Sequence, residues 1–155
     1  MIGLSTEMDS TSGKTRLNIK ERSADRKRVL LADDQALVLQ EVRSLLDQDY
    51  EIVAEVRNGK SLVEAAQRLN PDLIISDISM PEMNGFEAAA KLRDLGITAR
   101  LVFLTIQSSP AYVRKARSLG ASGYVLKVYA TEQLPQAVSS VLSGGTFISP
   151  ELETT

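Results

Sequence analysis

Neither cysteine nor histidine occurs in the 155 residues. The first absence removes disulfides, thiolate metal sites and thiol catalysis. The second removes imidazole acid–base chemistry, histidine metal ligands and any phosphohistidine carried by this chain. No apolar run approaches the ~18 residues of a membrane span. The amino-terminal stretch also lacks the apolar core of a secretory signal, so a cytoplasmic protein with no membrane attachment is expected. An excess of one charge is lacking too. Eighteen Lys and Arg against 20 Asp and Glu leave a net charge of -2, which points neither to a nucleic-acid binder nor to an acid-rich solvating chain. What is present is an ordinary globular composition, 43% apolar and 25% charged, in a length that suits one domain with a tail.

Residues 1–27 are polar, rich in Ser and Thr, and increasingly basic through Lys14, Lys20, Arg22, Arg26 and Lys27. They read as a flexible leader with a short helix around residues 17–26, because such composition buries too little surface to order itself. From Val29 the pattern changes. VLLA is a continuous apolar run, as in a strand buried on both faces, and helical spacing follows at Leu37, Val38, Val42, Leu45 and Leu46. Strand-like YEIVAEV precedes a helical stripe at Leu62, Ala65, Ala66 and Leu69 that Pro71 ends. DLIIS, RLVFL and GYVLK read as three more strands, separated by helices at Phe86–Leu95 and Pro110–Leu119. A last helix runs from Thr131 to Leu142, closed by Gly144 and Gly145. Five strands alternating with five helices predict a doubly wound parallel α/β sheet with helices on both faces, since parallel neighbours need crossover helices. The folded unit is expected over residues 28–145, with 146–155 as a tail or the start of a linker.

Ligands of open parallel sheets bind beyond the carboxyl ends of the strands. Those ends carry Asp33 and Asp34, then Asp77, Thr105 and Lys127. Taken singly, each reads as well as a helix cap, a solvated loop or a surface charge. Together, three carboxylates would raise each other's pKa unless a cation sits among them, and all-oxygen ligands point to Mg²⁺ rather than zinc. Lys127 adds a positive charge and Thr105 a hydrogen-bond donor for a group with negative oxygens. The set suits phosphoryl transfer onto a carboxylate.

The segment DISMPEMNGFE from Asp77, with LLADD at 30–34, LT at 104–105 and GASGYVLK at 120–127, resembles the receiver domain of two-component response regulators over roughly residues 28–143. The resemblance implies a flavodoxin-like strand order 2-1-3-4-5. It implies that Asp77 accepts a phosphoryl group from a sensor histidine kinase or a phosphotransfer protein. Asp34, Asp77 and the carbonyl of Ser79 would then ligate Mg²⁺, with Asp33 acting largely through water, while Thr105 and Lys127 hold phosphoryl oxygens. Tyr124 resembles the aromatic switch residue that turns inward as Thr105 moves toward the phosphoryl group. Pro81 and Gly85 shape the loop after Asp77.

Val128 stands where the family often has proline, and Ile106 where it commonly has a small residue. GASGYVLK and the ending VLSGGTFISPEL resemble the receiver half of LuxR-type DNA-binding regulators. That implies transcriptional output, with DNA contacted only through a domain not present in this sequence and a homodimer as an option. A fragment of a longer regulator is favoured over a single-domain one. The alternatives are an aspartyl-phosphate hydrolase, though such enzymes commonly show a DxD pair at the first strand, and a degenerate receiver serving only as a binding module.

Overall fold

The computed structural model describes residues 25–152, so the helix expected around residues 17–26 lies outside the described residues apart from its last two. Six strands, β1 (Arg28–Ala32), β2 (Glu51–Val56), β3 (Leu73–Ser76), β4 (Arg100–Thr105), β5 (Gly123–Leu126) and β6 (Phe147–Ile148), form one parallel sheet in the order 2-1-3-4-5-6. The helices are α1 (Ala36–Leu46), α2 (Gly59–Leu69), α3 (Gly85–Asp94), α4 (Pro110–Ser118) and α5 (Ala130–Leu142). The expected doubly wound fold and its strand order are present, with one addition. β6, in the stretch expected to be a tail or the start of a linker, pairs with β5 through Gly123 opposite Phe147 and Tyr124 opposite Ile148. Two residues are too few to show a period.

Alternation along the central strands sorts their side chains onto two cores. Leu30, Ile74 and Phe103 face α2, α3 and the single buried residue of α4, Ala116. Val29, Leu31, Ile75 and Val102 face α1 and α5 through Leu39, Val42, Leu134 and Val138. Both faces are therefore covered, which is why these strands read as unbroken apolar runs. β2, at the sheet's edge, is only half-buried, and its pairing with β1 shifts register between Val29 and Leu30.

The helix starts follow local chemistry. The Asn84 side chain accepts from the Glu87 amide while Glu87 returns a bond to the Asn84 amide, a reciprocal cap that fixes where α3 begins. Asn58 and Ser109 cap α2 and α4 in the same sense, and Pro110 opens α4 where no amide is needed. Among the described residues no helix is long and apolar enough to cross a membrane.

Candidate functional site

The order of the strands reverses between β1 and β3, which are neighbours although β2 comes between them in the chain. A crevice opens at such a reversal, beyond the strand ends. Ala32 pairs with Ser76 as the last residues of the two strands, so Asp33 and Asp77 leave the sheet side by side. The Asp77 amide donates to the Ala32 carbonyl at 2.9 Å and the Asp33 amide to Val56 at 3.0 Å, which holds both backbones in register as the side chains enter the crevice. Oxygens of Asp33, Asp34 and Asp77 all lie within 4.8 Å of one another. Asp33 and Asp77 are buried and Asp34 is exposed.

Lys127 closes the group from β5. Its Nζ lies 2.9 Å from Asp33 Oδ2 and 2.9 Å from Asp77 Oδ2. The other oxygen of each acid accepts a backbone amide, Asp33 Oδ1 from Gln35 at 2.9 Å and Asp77 Oδ1 from Ile78 at 2.7 Å. Two carboxylates thus share one ammonium. Burial pushes the Asp33 carboxyl above its usual range, the Asp77 charge adds to this, and Lys127 and the Gln35 amide counter it only in part. Burial alone would lower the Lys127 pKa, but its bonds to Asp77 and Asp33 outweigh that and raise it. The lysine is well served and one carboxylate is not. Among the described residues the Asp34 carboxylate makes no hydrogen bond or ion pair. The acids that remain offer only oxygen, a donor set that fits a hard divalent cation such as Mg²⁺.

The loop after Asp77 must double back to reach α3. A Cβ at Gly85 would lie 2.1 Å from the Asp77 carbonyl oxygen, so only glycine permits that approach. Glu82 (φ 60°) and Met83 (φ 139°) bend the loop through backbone angles that side-chain-bearing residues rarely adopt. The Met83 carbonyl is held by the Gly59 amide at the start of α2, 3.0 Å away. Ser79 is exposed in this loop, two residues beyond Asp77.

Thr105 is fully buried at the end of β4 and makes no hydrogen bond to the carboxylates. Its hydroxyl oxygen accepts from the Gln107 amide at 3.1 Å, and its own O–H finds no partner among the described residues. Tyr124 is turned inward, 2% exposed, and donates from its hydroxyl to the Gln107 carbonyl at 2.7 Å. Burial, with the nearby Tyr112 and Asp77, raises its phenol well above the usual value. The two residues therefore hold the Gln107 backbone at both its amide and its carbonyl. No sequence signal marks Gln107, because it contributes backbone only. Ile106, between Thr105 and Gln107, is 75% exposed and faces a groove of about 460 Å³ that Lys127, Val128 and Leu152 also line. At Lys127 the chain leaves β5 into a short 3-10 turn, Lys127–Tyr129, with all peptide bonds among the described residues trans.

The arrangement agrees with what this chain is similar to. The model of the response regulator receiver domain matches residues 29–139. Transcriptional regulatory protein DesR of Bacillus subtilis is 36% identical over 126 residues, covering 80% of this chain and 62% of DesR. Chemotaxis protein CheY of Halobacterium salinarum is 32% identical over 76% of this chain and 98% of its own length. Among solved structures, a LuxR-family two-component response regulator from Aurantimonas sp. superposes with a TM-score of 0.79 at 30% identity, over 84% of this chain and 94% of that one. The chain spans about three fifths of the length of the transcriptional regulators it matches first. By the match to its core and the likeness to LuxR-type relatives, the chain belongs to the response-regulator receiver family.

Proposed function

We propose that this receiver takes a phosphoryl group onto Asp77 from a phosphohistidine of a sensor kinase or phosphotransfer protein, in the cytoplasm, and passes the change to a transcriptional output. The observation that carries this reading is the meeting of Asp33, Asp34 and Asp77 within 4.8 Å, with Lys127 bridging two of them. An oxygen of Asp77 forms a bond to phosphorus as the bond from phosphorus to the donor's ring nitrogen breaks. The electron pair stays on that nitrogen, which takes its proton from solvent. Asp34, Asp77 and the Ser79 carbonyl would hold Mg²⁺, with Asp33 acting through water. Once bound, the ion supplies positive charge to the transferring oxygens.

The rest belongs to the chain's own groups. Lys127 exchanges one carboxylate for a phosphoryl oxygen, which keeps its charge neutralised throughout. Thr105 has an uncommitted O–H in a dry environment, and turning it toward Asp77 gives that donor a negative partner. Moving Thr105 loosens its hold on the Gln107 amide, while Tyr124 keeps the carbonyl of the same residue. The β4–α4 loop then settles into a second arrangement, a population shift driven by new charge-assisted bonds. The name of DesR, a transcriptional regulatory protein, supports the output. The test is intact mass after incubation with acetyl phosphate and Mg²⁺. One phosphoryl group should appear, and Asp77→Asn should take none; full modification of that variant would refute the assignment.

A further inference from the structure

Ser149 is fully buried although Pro150 after it is exposed and Ile148 before it only half-buried. Its amide donates to the Tyr124 carbonyl at 2.9 Å. Its hydroxyl oxygen accepts from the Leu126 amide at 3.0 Å and donates to Gln133 Oε1 at 2.6 Å. Gln133, on the first turn of α5 and 9% exposed, then donates from Nε2 to the Glu151 carboxylate at 2.9 and 3.2 Å. A continuous polar chain thus runs through an otherwise apolar corner, from β5 across α5 and back to the tail. β6 ends at Ile148, and the Ser149 side chain takes over from it. Without that hydroxyl, the buried Leu126 amide would have no acceptor on this side of the sheet.

The two residues that Ser149 grips are Tyr124, the inward-turned aromatic, and Leu126, whose carbonyl carbon begins the peptide bond to Lys127. Beyond Leu126 the chain leaves the sheet at once, into the 3-10 turn Lys127–Tyr129. Val128 is 79% exposed, and the groove of about 460 Å³ lies open beside Lys127. A lysine has a long, flexible stem, so where its ammonium comes to rest depends on where its backbone is fixed.

We propose that Ser149 and Gln133 are positioning residues for Lys127, so that residues 146–152 are a working part of the phosphoryl site. This rests on the function proposed above. Ser149 fixes the end of β5 from the side opposite β4, and Gln133 fixes the Ser149 hydroxyl by accepting its hydrogen bond. The same contacts tie the Tyr124 backbone to the tail, so a change around Tyr124 is felt where the chain leaves the domain.

The test compares Ser149→Ala and Gln133→Ala with Leu92→Val, a core change near the far end of α3. Each is phosphorylated with acetyl phosphate at saturating Mg²⁺, and Mg²⁺ affinity, unfolding in urea and amide exchange are measured beside it. Misplacing a catalytic group by about 1 Å can cost up to a hundredfold, and a loosened backbone should cost roughly tenfold. Ser149→Ala and Gln133→Ala should therefore lower the maximal rate with the KM for acetyl phosphate and the Mg²⁺ affinity unchanged. Exchange at the Leu126 and Lys127 amides should quicken. Leu92→Val should keep the parental rate despite its lost stability. A parental rate in Ser149→Ala, or equal slowing in Leu92→Val, would leave the pair a structural role only and overturn the proposal. A wild-type chain that takes up no phosphoryl group would instead overturn the functional reading beneath it.

Discussion

Replacing Lys127 with methionine removes the ammonium and keeps the length of the stem. Two buried carboxylates, with side-chain exposures of 4% and 8%, are then left facing each other. At 2.9 Å and an effective dielectric near 20, each ion pair carries roughly 6 kcal/mol of gross attraction, most of it offset by desolvation. Removing one partner of a buried pair costs about 3–5 kcal/mol. Because Lys127 keeps 14% of its side chain in contact with water, the lower end, about 3 kcal/mol, is expected. Mg²⁺ should restore most of it. A ligand at a hundred times its dissociation constant adds about 2.7 kcal/mol, and binding should be tighter once no ammonium competes for the same oxygens. The lysine's raised pKa also predicts a pH signature. Its stabilisation is fully present below its unfolded value near 10.4 and is lost as pH rises through the higher folded value. Urea unfolding of parent and Lys127→Met, in EDTA and in excess Mg²⁺, measures the first two effects. The reasoning fails if the variant matches the parent in EDTA, or if Mg²⁺ stabilises it no more than the parent.

Three further outcomes follow from the same geometry. Ile106 stands beside the groove that Lys127 lines, so Ile106→Ala should let water approach phospho-Asp77 more easily; the phosphoryl group should decay faster with Mg²⁺ affinity unchanged, and equal or slower decay would remove Ile106 from the approach path. Under the proposed roles Asp34 and Asp77 are direct ligands and Asp33 acts through water, and among the described residues the Asp34 carboxylate has no partner to give up, so Mg²⁺ titration of the Asp→Asn variants should show Asp34 and Asp77 to matter more than Asp33; a dominant loss in Asp33→Asn would reverse the ligand roles. The raised Asp33 pKa favours the fold below the ordinary aspartate value of 3.8, and that contribution is lost as pH rises through the higher folded value. In Mg²⁺-free buffer Asp33→Asn should therefore flatten stability against pH above 3.8 relative to the parent, and parallel urea curves for the two proteins would refute this.

The central strands and the acids at their ends were legible because burial on both faces forces unbroken apolar runs. A charged residue directly after such a run has nowhere to go but the crevice. Asp33, Asp77 and Lys127 meet as expected for that reason. What the sequence could not disclose was partnership. That Lys127 bridges two acids, while Thr105 turns its oxygen to the Gln107 amide instead of the carboxylates, depends on side-chain rotation that no periodicity encodes. The tail hid more. Phe147 and Ile148 are an isolated apolar pair after two glycines, and Ser149 looks like any loop serine until the surrounding chain buries it. A buried hydroxyl with two hydrogen bonds is a property of the assembled structure, not of its neighbours in the chain.

β6 also settles what the protein shows to its surroundings along one margin of the sheet. Were the chain to stop at Gly145, β5 would become an open edge, and Gly123 through Leu126 would offer unpaired amides and carbonyls on a nearly uncharged, apolar strand. Such margins recruit strands from other molecules and seed aggregates. Two residues and a serine side chain close it. A receiver trimmed before Phe147 is then expected to self-associate edge to edge during expression, so the choice of where to end a recombinant domain bears on its solubility as much as on its signalling.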